Sequence, residues 1–196
     1  LSGAVPLVCI CGPSAAGKTT LAARLAEQLS ARGRHPLLIS CDDYYRCGWS
    51  PNSRYGFDTV DAIDADQLRL QLSAVRYRQL SALRSYDMRS RKVSSRLLQQ
   101  PYDLVLVEGS YGPQHLLEAV PISLVVYVET PLLHRLIKRL WRDVRYRQRP
   151  ASYVIRQMLR EMLPAERRFI HPLKRRADLV VRGYNFDLEP ILSRIG

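Results

Sequence analysis

Gly12-Pro13-Ser14-Ala15-Ala16-Gly17-Lys18-Thr19 fits the pattern G-x-x-x-x-G-K-[ST] at every fixed position. An apolar strand candidate, Val5 to Cys11, runs into it, and a helix candidate, Leu21 to Leu29, runs out of it. In that setting the glycines let backbone N–H groups converge on phosphate oxygens, and the helix N-terminus adds partial positive charge. Lys18 is expected to reach the β- and γ-phosphates of a nucleoside triphosphate, and the Thr19 hydroxyl to ligate Mg²⁺. The nucleotide-binding set is then Gly12, Pro13, Ser14, Ala15, Ala16, Gly17, Lys18, Thr19 and Thr20. The plainer alternative is a glycine-rich turn that opens an ordinary helix.

Further along, four more stretches read as buried strands: His35–Cys41, Tyr102–Gly109, Ile122–Val128 and Ala177–Val181. They are continuously apolar rather than alternating, and helical patterns separate them (about 64–83, 132–145 and 153–163). That combination predicts an α/β fold: a phosphate-loop NTPase-type parallel sheet covered by helices on both faces. A short Arg-rich stretch, about 84–96, reads as a small hairpin beside the site, and about 135–150 as an Arg-rich lid. With no repeat and no low-complexity linker, residues 1–196 read as a single domain. Ligands bind at the carboxyl ends of the strands of such a sheet. Three features stand at those ends: the phosphate loop after the first strand, Asp42-Asp43 after the second, and Glu108 in the third.

Net charge is +12, and of the 30 basic residues only Lys18, Lys92, Lys138 and Lys174 are lysine. From 135 to 149 the chain holds Arg135, Lys138, Arg139, Arg142, Arg145, Arg147 and Arg149 against one acid, Asp143. A lid that closes arginines on nucleotide phosphates suits this pattern best. A solvated basic face comes second and a nucleic-acid surface third. The four cysteines have no zinc-ligand or C-x-x-C spacing, which fits a reducing cytoplasm. No apolar run approaches the length of a membrane span.

Beyond the phosphate loop, five segments in order resemble the uridine kinase and phosphoribulokinase family, most closely its uridine–cytidine kinases. They are Ser40-Cys41-Asp42-Asp43-Tyr44-Tyr45, Phe57-Asp58-Thr59-Val60-Asp61-Ala62-Ile63-Asp64, Leu106-Val107-Glu108-Gly109, the Arg135–Arg149 stretch, and Phe169 through Asp178. Two departures stand out: Val60 replaces a usual proline, and R-Q-R at 147–149 replaces R-G-R. The resemblance implies phosphoryl transfer from ATP or GTP to the 5′-hydroxyl of uridine or cytidine, with Mg²⁺. Asp42 would be the catalytic base, with Asp43 its rival, and Lys18 and Arg142 would share in catalysis. Thr19, Glu108 and Asp42 would serve the metal. Arg142 and Arg147 would meet the nucleotide, and Asp58, Tyr86, Arg89, Arg139, Arg149 and Gln157 the acceptor.

Arg89 stands where nucleoside kinases of this family carry a base-reading histidine. That substitution keeps a second reading open, in which the acceptor is another small alcohol: a sugar phosphate, a pantothenate-like acid or a pyridine riboside. A third reading is a nucleotide-binding regulator without turnover, against which stand Asp42, Asp58 and Glu108, all present. The partners implied are a nucleoside triphosphate and a small-molecule acceptor, with no membrane and no nucleic acid. A homo-oligomer is left open.

Overall fold

The side chains of the central strands divide between two cores, and that division makes the architecture. In the computed structural model, which describes residues 3–195, five parallel strands form one sheet: β1 (Leu7–Cys11), β2 (Pro36–Ser40), β5 (Leu104–Gly109), β6 (Leu124–Glu129) and β7 (Leu179–Arg182). Their order is β2-β5-β1-β6-β7. Leu1, Ser2 and Gly196, which the expected domain span includes, lie outside the described residues.

Along β1 and β5 every residue is buried. Val8, Ile10, Leu104 and Leu106 point to one core, which α1 (Lys18–Ala31) covers with Leu21, Leu25 and Leu29 and α7 (Glu189–Ile195) with Ile191 and Leu192. Leu7, Cys9, Val105 and Val107 point to the other. Leu68, Leu72 and Val75 of α2 (Ala65–Arg76) and Leu116 of α3 (Pro113–Ala119) cover that side. Strands buried on both faces have no polar side to alternate, which is why their sequences read as unbroken apolar runs.

The helix expected over 64–83 ends at Arg76, where Arg78 turns the chain at φ 57°. Leu83, the last apolar position of that pattern, belongs instead to β3 (Ala82–Asp87), which pairs antiparallel with β4 (Lys92–Leu97). The small hairpin is thus present, two residues longer at its start than its polar sequence suggested. Helix α3 was not anticipated, although Pro113 after Gly112 is a common helix opening.

Helix α4 (Leu132–Arg145) is built inside out: Arg135, Arg139 and Asp143 are buried, while Leu133, Ile137 and Trp141 are exposed. Leu136 and Leu140 along one flank pack on Val154, Met158 and Met162. Those three belong to α5 (Ala151–Gln157) and the π-helical turn after it (Met158–Met162). The chain continues through α6 (Leu163–Ala165), a second π-helical turn (Glu166–Ile170) and a 3₁₀ turn (His171–Arg176) into β7. No helix among the described residues is long and apolar enough to cross a membrane.

Gly12 turns the chain from β1 into the phosphate loop at φ +146°, and a Cβ there would collide with the backbone oxygen of Val128. Backbone on a neighbouring strand cannot step aside as a side chain can. Gly12→Ala should therefore cost about 2–4 kcal/mol of stability. Thermal unfolding of the two proteins, in a buffer without nucleotide, measures it.

Candidate active site

Three strand ends meet in one cleft, and the register explains how. Glu108 of β5 stands level with Ile10 of β1 on one side and Ser40 of β2 on the other. Ser40 donates through Oγ to Glu108 (2.8 Å), and the same Oγ caps the 3₁₀ turn Cys41–Tyr44 by accepting from Asp42 N at 3.3 Å. The phosphate loop closes the third side. Lys18, buried, donates from Nζ to the Pro13 carbonyl (2.9 Å) and to Ser110 Oγ (2.7 Å). Ala15 sits at φ 59°, a strained conformation for a residue with a Cβ and one that clusters at functional sites.

Charge at this floor is tightly balanced. Burial lowers the Lys18 pKa, and Glu108 and Asp42 oppose that shift. Burial raises the Glu108 carboxyl; Asp42 adds to the rise, and Lys18, Ser40 and Thr19 work against it. Asp42 opens to cleft water, yet the surrounding protein walls raise its carboxyl too, against Lys18, Arg147 and Arg142. Asp43 is engaged elsewhere: its Oδ1 accepts from Tyr86 N (3.0 Å) and its carbonyl from Arg84 Nε (2.8 Å). One acid of the pair faces the cleft, and the other ties the 3₁₀ turn to the hairpin.

The far wall comes from α4. Arg139 holds both oxygens of Asp58 (3.1 and 3.4 Å) and reaches Ser14 Oγ at 3.2 Å. Burial works against its charge, but Asp58 and Asp143 outweigh that and raise its pKa. Arg135 donates to both oxygens of Glu166 (2.8 and 2.9 Å), and Glu166 Oε1 also accepts from Ser14 N at 2.9 Å. A buried ion pair therefore props the first half of the phosphate loop from outside.

The cleft has a volume of about 310 Å³. Of the residues singled out from the sequence, Ser14, Ala15, Gly17, Lys18, Thr19, Thr20, Asp42, Asp58, Glu108, Arg139, Arg142 and Arg147 line it, while Gly12, Pro13 and Ala16 shape the loop without lining the cleft. Four expected acceptor residues do not line it either. Arg89 is exposed in the hairpin turn, because the Asp87 carboxylate accepts from the backbone of Arg89 and Ser90 and from Ser90 Oγ. Met88 lines the cleft in its place. Tyr86 packs on Tyr45, with ring centroids 5.9 Å apart, and Tyr45 is the ring that faces the cleft. Arg149 and Gln157 bond to each other at 3.4 Å, outside the lining.

Sequence reading also missed members of the site. Glu166 lies 152 residues from the loop it props, and nothing in its surroundings marks it. In the sequence Asp143 stood only as the one acid among the basic residues of 135–149. In the fold it is fully buried with Arg142, Arg147 and Arg139 around it. Gly109, Ser110, Tyr111, Lys138 and Trp141 complete the lining.

The model of the Phosphoribulokinase / Uridine kinase family matches residues 7–187. The chain belongs to that family. A uridine kinase of Borrelia duttonii (strain Ly) is 32% identical over 195 residues, covering 96% of this chain and 93% of that protein. One of Lactobacillus helveticus (strain DPC 4571) is 31% identical over 180 residues, covering 89% and 85%. A solved kinase of Silicibacter sp. TM1040, named for a fructose transport system, shares the fold at TM-score 0.72 and 16% identity, over 91% of this chain and 90% of that one. As a member of the phosphoribulokinase/uridine kinase family the chain is a small-molecule kinase with a phosphate-loop fold, and the family uses ATP-type phosphate donors.

The raised carboxyls have a consequence for stability. A carboxylate whose pKa is higher folded than unfolded destabilises the fold once ionised, and falling pH relieves that cost as it passes through the folded pKa. Asp42→Asn should therefore raise the Tm of the magnesium-free protein at pH 7–8. The gain should shrink as pH falls toward the carboxylate range. Thermal melts of both proteins across pH 4–8 check it.

Proposed function

We propose that this kinase transfers the terminal phosphoryl group of ATP or GTP to the 5′-hydroxyl of a pyrimidine nucleoside, uridine or cytidine. One observation carries the reading: Asp42, Lys18 and Glu108 meet at the cleft floor, opposite the Asp58–Arg139 pair. In this reading Asp42 is the base that takes the proton of the attacking hydroxyl. Asp43 is a poor rival because its carboxylate and carbonyl are already spent on the hairpin. Lys18 and Arg142 stabilise charge on the phosphoryl group in flight, and Arg147 joins them on the nucleotide, as the arginines of a lid over about 135–150. Asp58 receives the sugar hydroxyls, and until they arrive Arg139 holds that carboxylate facing the cleft.

Thr19, Glu108 and Asp42 suit Mg²⁺. All are oxygen donors, and two are carboxylates that burial and mutual repulsion hold above their ordinary range, a cost that a divalent cation removes. When bound, Mg²⁺ would neutralise phosphate charge and orient the terminal phosphoryl group.

The acceptor is neutral in this reading, since Arg89 faces solvent and Met88 the cleft. The same observation favours an alternative acceptor without a free anionic group, such as a pyridine riboside, over a sugar phosphate or a pantothenate-like acid. A regulator without turnover has no use for Asp42, whose side chain opens to the cleft rather than bracing the fold. The three buried thiols, Cys9, Cys11 and Cys41, with Cys11 pushed up to about 12, suit a reducing cytoplasm.

An ATP-consumption assay with Mg²⁺, run across nucleosides, sugar phosphates and pantothenate, tests the acceptor. Uridine or cytidine should turn over; turnover of an anionic acceptor alone would overturn the reading. Asp42→Asn should spare ATP binding and lower kcat by about 10²–10⁴-fold. Lys18→Ala should weaken both ATP binding and turnover, and Arg89→Ala should leave kcat/KM within about threefold.

A further inference from the structure

We propose that Asp143 is the positioning residue of this kinase: it holds Arg139, Arg142 and Arg147 in register and passes acceptor binding at Asp58 to the donor side. The proposal rests on the phosphoryl-transfer reading above.

Asp143 has no exposed surface at all, on the inward face of α4. Arg142 Nε donates to Oδ1 at 2.9 Å, and Arg147 Nη1 stands 3.5 Å from the same oxygen. The Asp143 carbonyl accepts from Arg149 N at 3.1 Å, which fixes the turn that returns Arg147 to the cleft. A single buried carboxylate thus gathers cleft arginines that would otherwise repel one another.

Its other oxygen is the informative one. Oδ2 and Arg139 Nε, both buried, each lack a hydrogen-bond partner, and they face each other at 3.7 Å, just beyond bonding distance. The remaining guanidinium nitrogens of Arg139 are committed to Asp58 and Ser14. A continuous chain therefore runs from Asp58 through Arg139 to Asp143, and on to Arg142 and Arg147. An acceptor diol that donates to Asp58 competes for the oxygens Arg139 now holds. A buried guanidinium that loses a partner must find another, and the closest free acceptor is Oδ2. Closing that gap draws Arg139 onto Asp143 and stiffens the carboxylate on which the donor-side arginines depend.

Calorimetric titration with a non-hydrolysable ATP analogue and Mg²⁺, with and without uridine, reads both parts. Wild-type protein should bind the analogue at least about fivefold tighter with uridine present. In Asp143→Asn that ratio should fall to about 1, and the analogue alone should bind about tenfold more weakly. In a double-mutant cycle on kcat, Asp143→Asn should add little to Arg142→Ala, because one acts through the other. Multiplicative losses would mark a merely structural role and overturn the proposal, as would equal analogue affinity in wild type and Asp143→Asn. If wild type does not bind uridine, the nucleoside reading fails, and the analogue titration alone still decides on Asp143. If Asp143→Asn does not fold, Asp143→Glu replaces it, keeping the charge while shifting its arms, with the same losses expected and the same equality overturning.

Discussion

A guanidinium group taken out of water needs a carboxylate, and that requirement organises the working half of this molecule. Arg135 and Arg139 are each about 5% exposed, and each has its acid: Glu166 for the first, Asp58 and Asp143 for the second. Breaking such a pair from one side strands a buried charge and costs about 3–5 kcal/mol. The acids come from three places in the chain: the loop after the first 3₁₀ turn (Asp58), α4 itself (Asp143) and the second π-helical turn (Glu166). Pairing charge is thus also what draws these segments around the phosphate loop. The sheet supplies a rigid edge, and the ion pairs supply the walls.

Much of this was legible from local pattern. The phosphate loop was legible because its glycines answer to backbone geometry, and Glu108 because a strand buried on both faces that ends in an acid marks a sheet edge. Asp42 followed from the same rule. The outward placement of Arg89 has a local cause that spacing alone did not reveal: an aspartate two residues earlier gathers the turn's N–H groups. Leu80 and Leu83 continued the helical spacing of α2 through the connecting turn and into β3, since apolar spacing alone does not mark where a helix stops.

What stayed hidden was burial of charge. Nothing in the run from Arg135 to Arg149 says that Asp143 is the best-buried member, because the sign of a residue says nothing of which way it points. Glu166 was hidden for another reason. It acts across 152 residues, from a π-helical turn whose irregular winding a period of 3.6 does not describe. Both residues become intelligible only when helix phase and tertiary contact are seen together.

The reversed polarity of α4 changes which substitutions this helix will accept. On most surface helices drift is free among the charged positions and confined among the leucines. Here Leu133 and Ile137 face outward with 66% and 58% of their surface exposed, and can be exchanged for polar residues without disturbing a core. Arg135, Arg139 and Asp143 admit no such exchange, apolar replacement least of all. A scale that scores tolerance by hydrophobicity would rank these positions backwards, protecting Leu133 and Ile137 and releasing Arg135 and Arg139. Among its relatives, the constant stripe of this helix should be its charged one.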